Sequence, residues 1–387
     1  MDTGDWLNVL FLALDVDLLV PRGDAIHVRE QVKFLAERGH RIDLVTATHD
    51  GMSGLGSNVH SHTAIGMDLV VVRKCRAIVR AGQAAVVYER RLSPKIAFAV
   101  SRLSRIPFVV EVNGVEEEAA MQGRPSTSPL RPLKFRVRKR MYRAAARVVA
   151  VTDRLATHTW QLYGLPSEKV VTIPNGVDLA TFAPINAAQA RRDLGLTGAN
   201  WVVFVGNLVG WQGVDVLLRA APRVVREQSD ARFLLVGEGV LRPALETLAR
   251  DLGIQPYVRF VGAVQHELVP IHIGAATVCV APFTRRRNEG IGVSPLKVYE
   301  YLAAGRPVVA SAIPGIDDML VRSGAGRVVE PDNPEALAEA LARLLTSPAE
   351  CAEMGQAARA FAVAECSWAR TAASLERVLV EAASWSA

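Results

Sequence analysis

The sequence predicts an α/β protein built from two doubly wound, parallel-sheet domains. Short apolar runs alternate with amphipathic helical patterns in both halves of the chain, and a strand, a helix and a strand in that order imply a parallel crossover unit. The pattern pauses at a turn-rich stretch around Asn175 and Gly176, then restarts at Trp201. A chain of 387 residues has room for two domains of roughly 150 residues or more.

The first domain begins with a buried strand and an amphipathic helix. LNVLFLALDV is an apolar strand, and the helix after it places Val28, Val32 and Leu35 at helical spacing before a stop at Gly39. Further strands are predicted in RIDLVTA, AAVVYER, PFVVEVNG and ARVVAVT. This order predicts a doubly wound sheet, which binds ligands beyond the carboxyl ends of its strands.

The second half repeats the pattern and ends in helices. Five strands are predicted in WVVFVGN, ARFLLVGEG, VRFVGAV, TVCVAPF and RPVVASA, and the terminal stretch is helical from Asn333 onward. We expect an N-terminal domain over residues 1–180, a C-terminal domain over 181–362, and a helix at 363–387 that packs back on the N-terminal domain. Two such sheets facing a central cleft suit a reaction with two substrates.

Composition excludes several classes of protein. Hydrophobic residues make up 50% of the chain and charged residues 22%, which fits a folded globular protein rather than a disordered or fibrous one. The four cysteines are scattered without the spacing of a disulfide framework or a zinc site. No secretory signal is recognisable, and no apolar run reaches the roughly 18 residues of a membrane span. We expect a cytoplasmic protein that binds no metal.

The net charge of +6 is concentrated in one segment. Eight Lys or Arg residues lie between Arg131 and Arg147, so the basic balance of the whole chain gives no reason to expect nucleic acid as a partner. A basic helix is attracted to anionic lipid headgroups by about 1 kcal/mol per base. Peripheral membrane contact through residues 131–147 is therefore one interpretation, and a solvated helix face is the other.

The segment SPLKVYEYLAAGRPVVAS carries the strongest functional signal. Its first residues, Ser294, Pro295 and Leu296, open a helix whose free backbone N–H groups can bind an anion such as a diphosphate. Lys297 adds a positive charge in the first turn. Glu300 lies about one turn further on, and its carboxylate can accept hydrogen bonds from both hydroxyls of a ribose.

This segment resembles the donor-binding signature of the family 4 retaining glycosyltransferases of the GT-B fold, E-G-F-G-L-P-x-x-E-A-M-A-x-G-x-P-V-V. Glu300 takes the position of the second glutamate, because Gly305 follows it at the spacing of the G-x-P-V-V glycine. The resemblance implies that Glu300 holds the donor ribose. It also implies a metal-independent, retaining hexosyltransferase whose co-substrate is a nucleotide-sugar, a UDP-sugar by family precedent, without a further cofactor.

Other segments extend the resemblance over nearly the whole chain. ERGH at residues 37–40 matches the common end of the family's second helix, and IPNGVD at residues 173–178 matches its linker entrance. Gly23 lies where the family has a glycine-rich turn near donor and acceptor. Gly237, in the G-E-G turn, lies near the nucleotide by resemblance, although tight strand-to-helix turns need glycine in any case.

The phosphate clamp departs from the family pattern. FVGN…GWQGVD, which contains Gly206, matches the family's F-V-G-R…K-G-x-D, but Asn207 and Gln212 replace the usual Arg and Lys. Each charge-assisted hydrogen bond contributes roughly 1.5 to 3 kcal/mol, so the loss must weaken donor binding or be compensated. We expect Lys297 to compensate, and the arginine run at residues 285–287 is the alternative.

The position that contacts the donor sugar in the family also departs from the family pattern. Gly292 occupies the register of the family's first glutamate, and Glu289 lies three residues early. Aligning Glu289 with that first glutamate would put Lys297 at the second, but Gly305 would then be out of step. We prefer the Glu300 register and keep Glu289 among the donor-binding candidates.

Two candidates in the first domain complete the catalytic set with Lys297. Asn113, in EVNG, stands where many family members have histidine. An asparagine cannot act as a base, but it can donate to a sugar hydroxyl and so orient the donor. His27, near the start of the first long helix, is expected to face the cleft and contact either substrate. A packing or capping role for His27 is the alternative.

Acidic residues at the same sheet edge give the one indication of the acceptor. Glu116, Glu117 and Glu118 follow strand PFVVEV and its Asn-Gly turn, and Asp24 lies in the neighbouring first loop. Such groups favour a cationic acceptor, for instance an amino sugar or aminocyclitol in antibiotic biosynthesis. The alternative is that the three glutamates merely begin a solvated helix.

Three competing functions remain open. The acceptor is a lipid-linked or polysaccharide precursor if residues 131–147 rest on a membrane. A nucleotide-sugar epimerase uses the same two-domain fold, although EYLAAGRPVV argues against it. A catalytically silent nucleotide-sugar-binding protein is favoured by the departures at Asn207, Gln212 and Gly292.

Overall fold

The computed structural model describes residues 6–20, 22–47, 55–115 and 130–385, and the chain divides into two compact units. The first unit runs to Asn175 and takes up the chain again from Trp368, and the second is Gly176–Ser367. The predicted domain limits at residues 180 and 362 therefore lie a few residues away from the limits of these units.

A parallel sheet forms the centre of the first unit. In chain order its strands are β1 (Asn8–Ala13), β2 (Arg41–Thr46), β3 (Val59–Thr63), β4 (Val86–Arg90), β5 (Phe108–Val112), β6 (Arg147–Ala150) and β7 (Val170–Thr172). Their order across the sheet is β3-β2-β1-β4-β5-β6-β7. The order reverses between β1 and β4, and open sheets of this kind bind ligands beside such a switch point.

Helices cover the sheet of the first unit. They are α1 (Gly23–Glu37), α2 (Asp68–Gly82), α3 (Lys95–Ser104), α4 (Arg131–Ala144) and α5 (Asp153–Tyr163). The central strands are therefore buried on both faces, which explains why β1 from Val9 to Ala13 is a continuous apolar run.

The second unit repeats this architecture. Its strands are β8 (Asn200–Val205), β9 (Ala231–Val236), β10 (Val258–Gly262), β11 (Val278–Ala281), β12 (Val308–Ser311) and β13 (Gly326–Val329), in the order β10-β9-β8-β11-β12-β13. Its helices are α6 (Ala187–Asp193), α7 (Val214–Glu227), α8 (Arg242–Asp251), α9 (Val269–Gly274), α10 (Arg285–Ile291), α11 (Leu296–Ala303), α12 (Asp317–Ser323), α13 (Pro334–Leu345) and α14 (Pro348–Glu365). Both sheets are parallel, so the predicted pair of doubly wound α/β sheets is confirmed.

The last helix, α15 (Trp368–Ala383), belongs to the first unit. Leu375 and Leu379 are fully buried and join the apolar core that contains Leu35 of α1. At its surface, Glu376 accepts from Arg38 and lies 2.9 Å from Nε2 of His40. The chain therefore returns to its first unit after completing the second.

The strands that the sequence pattern missed all lie at sheet edges. β3 and β7 are the two edges of the first sheet, and β13 is one edge of the second. An edge strand is covered less completely, so it needs no continuous apolar run, as the sequence VHSHT of β3 illustrates. From Asn333 onward the described chain forms the three helices α13, α14 and α15, and Pro348 is the first residue of α14. None of the helices in the described parts of the chain is long and apolar enough to span a membrane.

Candidate functional site

Lys297 is the centre of the candidate site in the second unit. It lies in the first turn of α11 with only 8% of its surface exposed, and its Nζ donates to Oε1 of Gln212 at 2.6 Å. The same Nζ lies 3.8 Å from the ring centroid of Phe204 and 5.3 Å from that of Phe283, so cation–π attraction helps to hold its charge. Burial lowers the pKa of Lys297 well below its ordinary value, and the charge of Glu300 raises it in part.

Two glycines make room for this lysine. A Cβ at Gly206, where φ is +146°, would lie 2.5 Å from Nζ of Lys297, and a Cβ at Gly237 would lie 2.0 Å from the carbonyl oxygen of Gly206. The backbone after β8 is thus sandwiched between the lysine and the end of β9. Any larger residue at either position would displace the lysine or the strand end.

Glu300 is buried beside this cluster and has a histidine partner. The glutamate is 6% exposed, and Nε2 of His266 lies 3.3 Å from its Oε1. The His266 ring in turn packs against Phe182 with the ring centroids 5.4 Å apart. His266 is not among the residues predicted from the sequence, although it lies shortly after the carboxyl end of β10.

The turn before α11 is fixed by its own contacts. Oγ of Ser294 lies 3.3 Å from the hydroxyl of Tyr299, and Pro295 precedes the helix without capping it through its side chain. The N–H of Val293 donates to the carbonyl of Pro314 at 3.2 Å. The start of α11, including Leu296, is therefore held in place, and the side chain of its N-cap residue Pro295 makes no capping hydrogen bond.

Two of the donor candidates make no described contact with the lysine cluster. Glu289 is exposed on α10 and forms an ion pair with Arg285 at 3.2 Å. The side chain of Asn207 is also exposed. Arg285 is further engaged by Glu330 at 3.5 Å, whereas Arg287 stacks over Trp211 at 5.3 Å. The geometry thus groups Lys297, Gln212 and Glu300 and leaves Glu289 and Asn207 outside that group.

In the first unit, a buried carboxylate organises the carboxyl end of the sheet. Glu111 of β5 is 1% exposed, and groups from α1, β4 and β5 converge on it: His27 at 2.8 Å, Gln31 at 2.8 Å, the Tyr88 hydroxyl, Arg90 at 3.4 Å and the Asn113 amide. Burial by itself would raise the pKa of Glu111. The neighbouring His27 and Arg90 and the hydrogen bonds outweigh that effect and hold its pKa well below the usual range.

The two catalytic candidates of the first unit therefore meet at one carboxylate. His27 is only 3% exposed, and its Nδ1 faces Oδ1 of Asn175 while its Nε2 faces Glu111. Asn113 directs its amide nitrogen at the same carboxylate. Both ring nitrogens of His27 thus face protein oxygens, which agrees with the packing alternative better than with a direct substrate contact.

Of the acceptor candidates, only Asp24 lies within the described residues. Gly23 is the exposed first residue of α1. Asp24, next to it, forms an ion pair with Arg22 at 2.7 Å, so its charge is locally compensated. Glu116 and Glu117 lie outside the described residues, and the expectation of a cationic acceptor gains no geometry from them.

Glu111 has a signal in the sequence that belongs to none of the motifs described above. A charged residue in the middle of FVVEV is unusual, because a buried carboxylate must find partners. Glu89 in VVYER is a second case: it is buried, accepts the N–H of Ala97 at 2.7 Å, and burial raises its pKa to about 8. No group of three or more potential metal ligands occurs in the ranges that the structure describes.

The chain matches two successive family models. Residues 21–181 match Glycosyltransferase Family 4, and residues 199–347 match Glycosyl transferases group 1. The first match covers most of the first unit, without residues 1–20 and the returning segment from Trp368, and the second match covers most of the second unit.

Curated relatives with glycosyltransferase names match part of the chain. The D-inositol 3-phosphate glycosyltransferase 2 of Catenulispora acidiphila is 35% identical over 60% of this chain and 55% of its own length. The GDP-mannose-dependent alpha-(1-6)-phosphatidylinositol monomannoside mannosyltransferase of Mycolicibacterium smegmatis is 34% identical over 55% of this chain and 57% of its own. The D-inositol 3-phosphate glycosyltransferase of Nocardiopsis dassonvillei is 30% identical over 75% and 66%, respectively. The chain thus spans between about half and two thirds of these relatives.

Solved structures share the fold over nearly the whole chain. The sucrose-phosphate synthase of Thermosynechococcus elongatus superposes with a TM-score of 0.76 at 21% identity, covering 96% of this chain and 98% of that one. Anabaena HepE in complex with UDP gives 0.79 at 17% identity, covering 97% and 100%. At these identities the likeness establishes the fold, and the predicted GT-B architecture is confirmed.

Replacing Glu111 by Gln should destabilise the protein. The change removes the charge that His27 and Arg90 face, and breaking a buried ion pair from one side costs about 3–5 kcal/mol. Because the folded-state pKa of Glu111 is lowered, the stability it provides is present above the unfolded value of about 4.3 and is lost as the pH falls below it. The difference between wild type and variant should therefore shrink in acid.

Urea unfolding at neutral and acidic pH measures both effects. Glu335→Gln, the same substitution at an exposed position of α13, is the matched control and should change stability by no more than about 0.5 kcal/mol. Equal stability of E111Q and E335Q at neutral pH would contradict the role given to Glu111.

Proposed function

We propose that this chain, which belongs to the group 1 and family 4 glycosyltransferases, is a retaining hexosyltransferase. It transfers the sugar of a nucleoside diphosphate sugar to a hydroxyl group of a cyclitol. The observation that carries the proposal is the buried pair of Lys297 and Glu300 in the first turns of α11. A cation and a carboxylate one turn apart match the two ends of a nucleoside diphosphate, the phosphates and the ribose hydroxyls.

The diphosphate is proposed to bind at the start of α11, where the helix N-terminus and Lys297 act together. Gln212 supports this role, because its Oε1 accepts from Nζ of Lys297 at 2.6 Å. A lysine at position 212, as in the family pattern, would face that ammonium with a like charge. The loss of the clamp lysine is therefore coupled to the use of Lys297 as the charge that meets the phosphates.

The ribose is proposed to bind at Glu300. His266 contacts Oε1 of the glutamate at 3.3 Å, so we expect the ribose hydroxyls to donate mainly to Oε2. His266 and the adjacent backbone after β10 then lie next to the base. A UDP-sugar is our first expectation, and GDP-mannose is the second, because it appears in the name of the mycolicibacterial relative.

The transfer step relies on positioning and electrostatics. Lys297 and the helix N-terminus stabilise the negative charge that grows on the departing diphosphate, and that diphosphate accepts the proton of the attacking acceptor hydroxyl. The sugar then keeps its anomeric configuration. Asn113, whose amide nitrogen is held by Glu111, keeps its carbonyl oxygen for a substrate hydroxyl, whereas His27 acts by packing and charge behind it.

A cyclitol acceptor is supported by the relatives rather than by charges in the first unit. Two of the relatives are named for inositol 3-phosphate and one for a phosphatidylinositol mannoside. A cationic aminocyclitol of antibiotic biosynthesis belongs to the same chemical class. The compensated charge of Asp24 gives no preference for a cation, so inositol phosphates and aminocyclitols are separate arms of the test.

Replacing Glu300 by Ala should weaken nucleotide-sugar binding roughly 10- to 100-fold, because a charge-assisted hydrogen bond to the ribose is lost. Glu289→Ala is the matched control, since it removes the same side chain from the alternative register. Calorimetric titration of both variants with the nucleotide-sugar decides between the two registers. A larger loss in E289A than in E300A would show that the Glu300 register is wrong.

At pH values around its lowered pKa, Lys297 should take up a proton when the donor binds. Its pKa is lowered in the free protein, and the diphosphate favours the charged form, so affinity should fall as the pH rises through that lowered pKa. Calorimetry in two buffers of different ionisation heat measures the uptake. Lys297→Met should remove it, and Asn207→Ala, at the exposed clamp position, should leave it unchanged. The same proton uptake in K297M as in wild type would exclude Lys297 as the source.

The reaction itself is tested by incubating the protein with UDP- and GDP-hexoses and with three acceptors: inositol 3-phosphate, free inositol and an aminocyclitol. Mass spectrometry should show one hexosylated cyclitol. An isomerised donor formed without acceptor would indicate the epimerase, and donor binding with no product from any acceptor would contradict the cyclitol proposal. Absence of donor binding would overturn the enzyme proposal as a whole.

A further inference from the structure

Helix α4 carries an exposed apolar stripe bordered by basic side chains. Leu130, just before the helix, and Leu133 are each 57% exposed, and Val137 is 45% exposed. Their spacing of three and four places them on one face. The exposed residues around the stripe are Arg131, Lys134, Arg136, Arg140 and Arg143, and α4 contains no acidic residue.

The opposite side of α4 is anchored to the first unit. Tyr142 is fully buried, stacks on Tyr163 of α5 with 4.2 Å between ring centroids, and donates from its hydroxyl to the carbonyl of Leu92 at 3.0 Å. Phe135 stacks on the same Tyr163 at 5.8 Å. The packing therefore fixes which face of α4 points outward, and the apolar stripe is not a side effect of a loosely held helix.

A cavity of about 280 Å³ lies between α4, α5 and the end of β5. Its apolar lining includes Val112 and Val115 from β5 and its end, Phe135 from α4 and Leu162 from α5, and Arg131 and Arg138 also contribute to its wall. Leu162 is itself 42% exposed. The cavity thus combines an apolar interior with guanidinium groups from the helix that bears the stripe.

We propose that α4 docks on an anionic phospholipid bilayer and that the cavity takes up one acyl chain of a bound lipid. Basic residues alone would suit any polyanion, but an exposed stripe of leucine and valine is costly in water and is recovered in the interface of a bilayer. Arginine and lysine at its border reach the headgroup phosphates while their aliphatic parts cover the apolar region. Nucleic acid would leave the leucines without a partner.

This inference goes beyond the proposed function and does not depend on it. Docking on the bilayer requires neither the sugar donor nor the acceptor, so it is measured in the absence of the transfer reaction. The cavity reaches Gly114 and Val115, directly after Asn113. A lipid chain held there would bring the membrane surface close to Asn113.

Vesicle binding of the full chain tests the surface. The protein should co-sediment with vesicles of equal parts phosphatidylglycerol and phosphatidylcholine but only weakly with pure phosphatidylcholine, and added salt should release it. Neutralising two bases in R136Q/R140Q should weaken binding roughly 25-fold, at about fivefold per base. Equal binding to both kinds of vesicle would overturn the electrostatic part of the proposal.

Matched variants locate the surface. R219Q/R226Q makes the same charge change at exposed positions of α7 in the second unit and should bind like wild type. L133S/V137S should lose binding, whereas M67S/L69S, which alters residues 76% and 69% exposed at the start of α2, should retain it. Loss in M67S/L69S with retention in L133S/V137S would place the membrane face elsewhere and overturn the assignment to α4.

The cavity is tested with a short-chain phosphatidylglycerol below its micelle concentration. Calorimetry should show binding to wild type, and Leu162→Trp, which fills the cavity, should weaken it roughly tenfold, about the contribution of two buried methylene groups. Unchanged circular dichroism and nucleotide-sugar affinity would confirm that L162W is folded. Equal lipid affinity in L162W and wild type would exclude chain uptake by this cavity.

Discussion

The candidate site of the second unit depends on the burial of one lysine. Lys297 is 8% exposed and lies against an aromatic ring and the backbone after β8. An ammonium group in such a place is unfavourable unless nearby dipoles, π-electrons or anions compensate for its lost hydration. Gln212, Phe204 and Glu300 supply part of this compensation. In the proposed function, a diphosphate bound at the start of α11 supplies the remainder.

In the first unit, a buried negative charge lies at the carboxyl edge of the sheet. Glu111 is ionised in a buried position because His27, Arg90 and three hydrogen-bond donors converge on it. This arrangement connects α1 to β4 and β5 at their carboxyl ends, where Asn113 begins the following loop. The position of Asn113 is therefore set by a structural carboxylate, and the residues that shape this edge include several that never need to touch a substrate.

The excess of basic residues lies on one surface of the protein. The bases of residues 131–147 lie mostly on one helix that has no acidic residue, whereas the lysine at the donor candidate site is buried. The excess positive charge of the chain therefore lies on a surface helix and not at the candidate site. The same helix face exposes leucine and valine, and that combination distinguishes it from an ordinary solvated basic helix.

The sequence by itself determined the class of fold and the donor motif. Apolar runs of strand length and helical spacing are local properties, so the central strands and long helices were predictable, and the register of Glu300 followed from a fixed distance to Gly305. Only the tertiary structure decided which distant residues meet. Gln212 and Lys297 are far apart in the chain, His266 reaches Glu300 from the segment after β10, and His27 and Asn113 converge on Glu111. Parallel strands bring their carboxyl ends to one edge irrespective of sequence separation, and the edge strands β3, β7 and β13 depend on their neighbours rather than on a pattern of their own.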